Sequence, residues 1–322
     1  MYTSLFSAFA FAAVLLDQAE SRIAETSAGL LKAERYHWSC RGQSLSIAVT
    51  DTGGSGPAWL LLPALSTISS RHEWRACSDA VIAGSRARGD GDQPPRFISV
   101  DWPGFGESDR PRLPYSAALL AQFLSDVRRD CCPDDCGLLA AGHAAAIALL
   151  AAQSEGLAFR EWVLVAPTWR GPLPTMARRR SRAFPAIRGL VEAPLLGPLL
   201  YRLNTTRSVL GWMSRRHVDV DGPGLTPTGL NQRQRIARQP GARFASAAFV
   251  TGGLDPYDAP EGWITAASAL RQPLTVVVTD QSPPQSLAQM QALAAVAGRQ
   301  LHLPGRLGAH EEFGQELARL LL

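Results

Sequence analysis

The chain has 322 residues, of which 46% are hydrophobic and 19% are charged. This length and composition are typical of a globular protein with one large core, and they exclude a disordered or fibrous chain. The formal net charge of +4 is too small to predict nucleic-acid binding by itself. Five cysteines, an odd number in a long chain, favour free thiols in a reducing compartment over a disulfide framework.

The N-terminal stretch MYTSLFSAFAFAAVLLDQAESR contains an apolar run from Leu5 to Leu16. The run is shorter than the roughly 20 residues that cross a bilayer, and it lacks the basic start of a secretory signal. We therefore predict that residues 1–43 form an N-terminal helical segment, which packs on the body of the protein or lies on a membrane surface. The predicted location is cytoplasmic, with peripheral membrane contact left open.

Short apolar runs then alternate with longer helical patterns, which predicts a mostly parallel α/β sheet with helices on both faces. Continuous runs such as AWLLL and LTVVV suit strands that are buried on both faces. The predicted strands are Ser44–Val49, Ala58–Leu62, Phe97–Asp101, Gly137–Ala141, Glu161–Ala166, Leu274–Thr279 and Gln300–Leu303. The predicted helices are Ser70–Ala83, Ser116–Arg129, Ala144–Gln153, Pro284–Ala297 and Glu311–Leu321.

The alternation stops between residues 168 and 245, where prolines and helix-and-turn patterns dominate. We predict that residues 168–245 are a helical cap inserted over the sheet, and that residues 44–167 and 246–322 form the core. The cluster CCPDDC at Cys131–Cys136 has no second cysteine pair or histidine pair at ligand spacing. It predicts a loop before a strand, and we predict no metal site and no cofactor.

Three short stretches each follow a predicted strand. They are LLLPALSTISS (residues 60–70), DWPGFGESDRP (101–111) and GHAAA (142–146). In this order they resemble the α/β-hydrolase superfamily, whose members carry an oxyanion-hole loop, a D-x-P-G-x-G-x-S loop and a G-x-S-x-G nucleophile elbow. The second stretch is the most specific, with matches at Asp101, Pro103, Gly104, Gly106 and Ser108. The resemblance implies the α/β-hydrolase fold over residues 44–166 and 271–322.

The same resemblance implies positions for the catalytic triad. Ala144 takes the place of the nucleophile in a tight, strained turn, and an alanine cannot attack a carbonyl. His310, in LHLPGRLGAHEEF, takes the place of the base. Ser282, in VVVTDQSPPQS, takes the place of the acid, with Asp280 two positions earlier. Of the three expected residue types only the histidine is present, so the triad is predicted to be degenerate.

Other groups still outline a binding site. The backbone amides of Leu65 and Ala145 are the predicted oxyanion-hole-like donors, able to hold a carbonyl oxygen without reacting with it. The predicted pocket residues are His143, Ser66, Trp169, Trp212 and Met213. We expect a small hydrophobic ligand or a protein partner there. The basic run Arg178–Arg182 indicates either a solvated cap helix or contact with anionic lipid headgroups; nucleic acid is not predicted.

A narrower resemblance involves the stretches LLLPALSTISSRHEW, GHAAA, VLVAPTWRGPLPTM, RHVDVDGPGLTP and AAFVTGGLDPYDAP. Together they are similar to a cyanobacterial and plastid group of α/β-hydrolase-like proteins with G-H-A-A at the elbow. This implies that the missing serine is the state of the group, and it suggests a photosynthetic bacterium.

Two functional hypotheses follow. The first is a pseudoenzyme, a non-hydrolytic binding or scaffold protein for a hydrophobic carbonyl compound or a partner. The second is an enzyme: an esterase with a displaced nucleophile, or a lyase or oxygenase that uses His310. Proton transfer by His310 requires a carboxylate, Asp280 or another, within about 2.6–3.2 Å of its ring.

Overall fold

The computed structural model describes residues 32–88, 93–179 and 181–321. It opens with an antiparallel hairpin formed by β1 (Lys32–Cys40) and β2 (Gln43–Asp51). The intervening Arg41 and Gly42 both have positive φ, as a tight hairpin turn between twisted strands requires. The predicted helical segment 1–43 is therefore wrong over residues 32–40. There Trp38 and Cys40 are buried whereas His37 and Ser39 are exposed, which is the two-residue period of a strand.

The remainder of that segment, with its apolar run Leu5–Leu16, lies outside the described residues.

The other strands are β3 (Ala58–Leu62), β4 (Arg96–Val100), β5 (Cys136–Ala141), β6 (Trp162–Val165), β7 (Leu274–Thr279) and β8 (Arg299–Leu303). Together with β1 and β2 they form, within the described residues, one eight-stranded sheet in the order β1-β2-β4-β3-β5-β6-β7-β8. Strands β3 to β8 are parallel and β2 runs antiparallel to β4. The predicted α/β-hydrolase fold is confirmed.

Helices cover both faces of this sheet. The core helices are α1 (Arg75–Ala87), α2 (Ala117–Cys131), α3 (Ala144–Glu155), α10 (Pro260–Ser268), α11 (Pro284–Ala294), α12 (Ala309–Glu312) and α13 (Gly314–Leu321). Helices α2, α3 and α10 pack on one face, and α1 and α13 pack together on the other. A short 3-10 helix, Arg71–Trp74, precedes α1. Each face therefore has its own apolar cluster against the sheet.

Six further helices lie between β6 and β7 and form the cap. They are α4 (Pro172–Ala177), α5 (Ala183–Glu192), α6 (Leu196–Asn204), α7 (Arg207–Met213), α8 (Pro227–Ala237) and α9 (Ala242–Val250), with a π-helical turn at Ser214–Val218 and a 3-10 turn at Pro223–Leu225. Helix α9 runs through residue 245, the predicted end of the insertion, and packs against α4, α5, α6 and α8. These contacts assign the whole of α9 to the cap.

Among the helices of the described residues, membrane-spanning potential is confined to one pair in the cap. Over the described ranges, no single helix is both long and apolar enough to cross a bilayer. Helices α5 and α6 meet the length and composition criteria only when taken together, and they are bent by 103° at the break between them.

Candidate active site

A tight turn connects β5 to α3. Its first residue, Gly142, has a φ of +54°, whereas His143 has a φ of −70° and caps the helix that begins at Ala144. The Gly142 N–H donates to the Val165 carbonyl at 3.0 Å, and the Gly142 carbonyl accepts from the Thr168 N–H at 3.1 Å. The turn is therefore fixed to the end of the neighbouring strand β6.

This geometry corrects the predicted nucleophile position. In an α/β-hydrolase elbow the nucleophile occupies the strained residue of the strand-to-helix turn. Here that residue is Gly142, whereas Ala144 is helical and completely buried. The predicted nucleophile position lies two residues too far towards the C-terminus, because AAGHAA carries small residues on both sides of its glycine and matches the motif in either alignment. In the structural register Ala140 and Ala144 are the small flanking residues, and no nucleophilic side chain exists at the turn.

His143 is a packed residue, with its side chain 1% exposed. Its Nε2 lies 2.9 Å from the Leu254 carbonyl oxygen, and its ring meets the edge of Phe249 at 5.5 Å between centroids. Burial is the main cause of its lowered pKa, which the Asp255 carboxylate at 3.9 Å only partly offsets. His143 is accordingly a neutral ring that joins the elbow to the chain after α9.

His310 lies in α12, buried, as expected for the family's base. Its Nε2 is 2.9 Å from Glu73 Oε2, and the same oxygen accepts the Ala64 N–H at 3.1 Å. Ala64 borders the elbow, since a Cβ placed on Gly142 would lie 3.1 Å from the Ala64 Cβ. The fold thus brings the elbow, Glu73 and His310 into one site. In a hydrolase of this family Nε2 faces the nucleophile; here it faces a carboxylate.

Sequence reasoning missed Glu73. Glu73 and His310 are 237 residues apart in the chain, so no local spacing connects them. The one available signal was an acidic residue in SSRHEW, directly after the oxyanion-hole loop. The position of Glu73 is set by the loop that begins at Asp101.

The predicted acid position holds no carboxylate. The Ser282 hydroxyl is buried and lies 2.6 Å from the Thr279 hydroxyl. Asp280 is half-exposed and pairs with His302 Nδ1 at 2.7 Å, so of the two alternatives left open, Asp280 or another carboxylate, Asp280 is not the partner of His310. The reason is that β7 extends to Thr279, which brings Asp280 beside His302 of the neighbouring strand β8.

Two buried nitrogens of the site have no hydrogen-bond partner among the described residues. They are His310 Nδ1 and Trp74 Nε1, and the two rings lie 5.0 Å apart. Buried polar atoms are nearly always satisfied in native proteins, so each such group asks for an explanation, of which a bound ligand is one. An indole N–H can only donate, so it requires an acceptor.

The turn at Gly142 also changes the assignment of the predicted oxyanion-hole donors. The Ala145 N–H donates to the Gly142 carbonyl at 3.3 Å, so it closes the first turn of α3, and its prediction as a free donor is wrong. Leu65 is buried, and its role as a donor stays a prediction. Ser66 lies 2.7 Å from the Ser69 hydroxyl and thus stabilises its own loop. The loop amide that does bind a carboxylate oxygen is that of Ala64.

The D-x-P-G-x-G-x-S loop is a structural clamp. The fully buried Asp101 carboxylate accepts the Arg71 N–H at 2.6 Å, Arg71 Nη1 at 2.8 Å and the Glu107 N–H at 2.7 Å. The Ser108 hydroxyl donates to the Asp101 carbonyl and accepts the Ala48 N–H. Since Arg71 begins the 3-10 helix that carries Glu73, the clamp fixes the carboxylate beside His310.

A second charged cluster attaches the cap to the site. Arg233 of α8 is buried and binds Asp219 with two nitrogens, Glu311 Oε2 at 2.7 Å and the Ser214 hydroxyl at 3.0 Å. Burial raises the pKa of Glu311, and Arg233 opposes that shift. Because Glu311 follows His310 directly, this cluster connects the cap to the helix that carries the base.

The remaining pocket candidates divide between the interior and the surface. Trp169 is 1% exposed and Met213 is half-buried, whereas Trp212 is 58% exposed. The Arg216 guanidinium lies 5.9 Å from the Trp212 ring centre, on the outside of the cap. The prediction that Trp212 lines a pocket is wrong, because the cap turns that side chain outward.

Comparisons with known proteins agree with this architecture. The alpha/beta hydrolase family matches residues 53–319. Among solved structures, the haloalkane dehalogenase DatA from Agrobacterium tumefaciens C58 is 18% identical, with 90% of this chain and 94% of that chain covered and a TM-score of 0.62. A bromoperoxidase from Bacillus anthracis is 12% identical, with coverages of 90% and 98% and a TM-score of 0.63.

A thermophilic esterase from Thermogutta terrifontis is 19% identical, with coverages of 90% and 96% and a TM-score of 0.58. At these identities the likeness concerns the fold. No curated protein matches the chain. The family match extends over most of the sequence, from the loop after β2 into α13. The chain therefore belongs to the alpha/beta hydrolase family.

Proposed function

We propose that this chain is a non-hydrolytic member of its family, a binding protein for an apolar compound with a carbonyl-type oxygen. The observation that carries the proposal is Gly142 at the strained turn of the elbow. A covalent acyl or alkyl intermediate needs a side-chain oxygen or sulfur at that turn, and glycine has none.

His310 supports the same conclusion. In hydrolysis its Nε2 would take the proton of the nucleophile, yet this atom is hydrogen-bonded to Glu73 Oε2. The opposite ring nitrogen has no carboxylate at the acid position, because Ser282 stands there with its hydroxyl on Thr279. The Trp74 N–H, which has no hydrogen-bond partner among the described residues, lies beside His310 and supplies a donor for a ligand oxygen.

A displaced nucleophile finds little support in the site. The Ser66 hydroxyl is held by Ser69. Cys77 is buried on α1, and burial raises its pKa to about 12, which keeps it a thiol and not a nucleophilic thiolate.

A second candidate function is proton transfer without hydrolysis, as in a lyase or a cofactor-free oxygenase. The Glu73–His310 separation of 2.9 Å favours it, since it falls within the range that an acid–base pair requires. In this alternative Glu73 orients His310, and the pair moves a proton at a carbon next to a carbonyl.

Hydrolysis is tested first, with acyl esters, haloalkanes and a fluorophosphonate probe. The wild-type chain should show neither turnover nor covalent labelling. Gly142→Ser/Glu73→Ala is the matched variant: it places a hydroxyl at the turn and frees His310 Nε2, so labelling there shows that the assay detects a competent site. Wild-type turnover that His310→Ala abolishes would overturn the proposal.

The two non-hydrolytic candidates are separated by NMR in D₂O with small ketones as probes. Binding without exchange of the α-protons supports a binding protein. Exchange above the solvent rate that is lost in both Glu73→Gln and His310→Asn supports proton transfer instead.

A further inference from the structure

The outer surface of the cap carries an unusual concentration of aliphatic side chains. On α5, on α6 and at the corner between them the exposed members are Ile187, Leu190, Leu195, Leu196, Leu199 and Leu203. Leu195, at the corner between the two helices, is 88% exposed. Within each helix these residues recur at three- and four-residue spacing, so they lie on one face. We call this set the cap leucine face.

The opposite face of the same helices is anchored to the protein. Phe184 of α5 is buried, and both helices pack against α9. On α6 the Tyr201 hydroxyl lies 3.1 Å from the Ser246 hydroxyl, and on α5 Arg188 donates to the Tyr115 carbonyl. The helices are thus already packed on one side, and the leucine face is a second apolar surface.

The corner that presents Leu195 is fixed by close backbone packing. A Cβ on Gly197 would lie 2.1 Å from the Val191 carbonyl oxygen, so only glycine allows α6 to approach the end of α5 this closely. The two helices meet at 103°, and Leu195 and Leu196 are exposed at this corner.

The stretch of chain that carries this face is strongly basic. Residues 172–216 contain nine arginines and one acidic residue, Glu192, although the whole chain carries a formal charge of only +4. Glu192 is already paired with Arg188 at 2.6 Å. Arg178, Arg179, Arg182 and Arg202 are exposed, so most of the excess charge faces outward.

We propose that the cap leucine face binds the surface of an anionic lipid bilayer, with the leucines in the headgroup–acyl boundary and the arginines on the lipid phosphates. Exposed aliphatic side chains flanked by arginine are the chemistry of interfacial membrane helices. A contiguous apolar surface of this kind is uncommon on a monomer unless it binds something. A second copy of the chain is disfavoured because it would bring two arginine-rich surfaces together.

The test uses the full chain and vesicle flotation. Vesicles of phosphatidylcholine with phosphatidylglycerol should retain the protein, and vesicles of phosphatidylcholine alone should retain much less. Leu195→Asp/Leu199→Asp should weaken partitioning roughly tenfold or more, since two leucines leave the interface. Replacing Arg178, Arg179 and Arg182 by glutamine should weaken it roughly fivefold for each arginine that lies at the surface.

Val296→Asp is the matched control, because Val296 is an exposed aliphatic residue outside the cap. It should bind as wild type does, and unchanged circular dichroism should show that every variant is folded. Equal retention of the leucine variant would overturn the proposal and assign binding to another part of the chain, such as residues 1–31. No retention of wild type, or a dimer in light scattering that Leu195→Asp dissociates, would also overturn it.

Discussion

Replacing Gly106 by alanine tests whether the D-x-P-G-x-G-x-S loop acts as a structural clamp in this chain. Gly106 has a φ of +56°, and a Cβ there would lie 2.1 Å from the Asp101 Cγ. Carbon atoms do not approach so closely, so the Asp101 carboxylate must move. It would then lose some or all of its three hydrogen bonds to Arg71 and Glu107.

The expected magnitude has two parts. A side chain in the left-handed region costs about 1–2 kcal/mol, reduced by about 0.4–1 kcal/mol through the lower entropy of the unfolded chain. Disrupting a buried ion pair costs about 3–5 kcal/mol. Gly106→Ala should therefore lower the free energy of unfolding by about 4–6 kcal/mol, a large share of the total of a typical domain.

Gly156→Ala is the matched control. Gly156 has a φ of +67°, and a Cβ there would meet nothing within 4 Å, so only the backbone part applies. Urea unfolding followed by circular dichroism measures both variants. The control should lose about 1 kcal/mol. If the two variants lose the same free energy to within about 0.5 kcal/mol, the three hydrogen bonds of Asp101 do not stabilise the fold.

Two further substitutions test how buried ionisable groups affect the free energy of unfolding. Burial lowers the pKa of His143 below 6.5, so the unfolded chain binds a proton that the native one does not. The free energy of unfolding therefore decreases as pH falls below 6.5, by up to about 1.4 kcal/mol per pH unit. Urea titrations at several pH values should show that His143→Gln removes this slope, and an unchanged slope would contradict the prediction. Arg233→Met leaves Asp219 and Glu311 unpaired and should cost about 3–5 kcal/mol, against about 0.5 kcal/mol or less for the exposed Arg235→Met on the same helix. Equal costs would show that the Arg233 cluster contributes no stability.

The sequence by itself determined the order of the elements and the loss of the nucleophile. Apolar runs such as AWLLL and LTVVV became β3 and β7 with the predicted bounds, because strands buried on both faces must be continuously apolar. The missing nucleophile follows from composition: no residue of AAGHAA carries a hydroxyl, thiol or carboxylate, whichever of them occupies the turn. The base was located because His310 lies between the last strand and the final helices, a position that chain order alone defines.

Only the tertiary structure decided the register of the elbow and the partner of the base. Gly142 and Ala144 are both small and neither is a nucleophile, so only the backbone φ distinguishes the turn residue from the first residue of the helix. Glu73 meets His310 because two loops at the same edge of the sheet converge, and that contact depends on packing between distant segments. The exposure of Trp212 could not be predicted for the same reason. An apolar residue on a helix predicts that one face of the helix is buried, but the neighbouring helices determine which face that is.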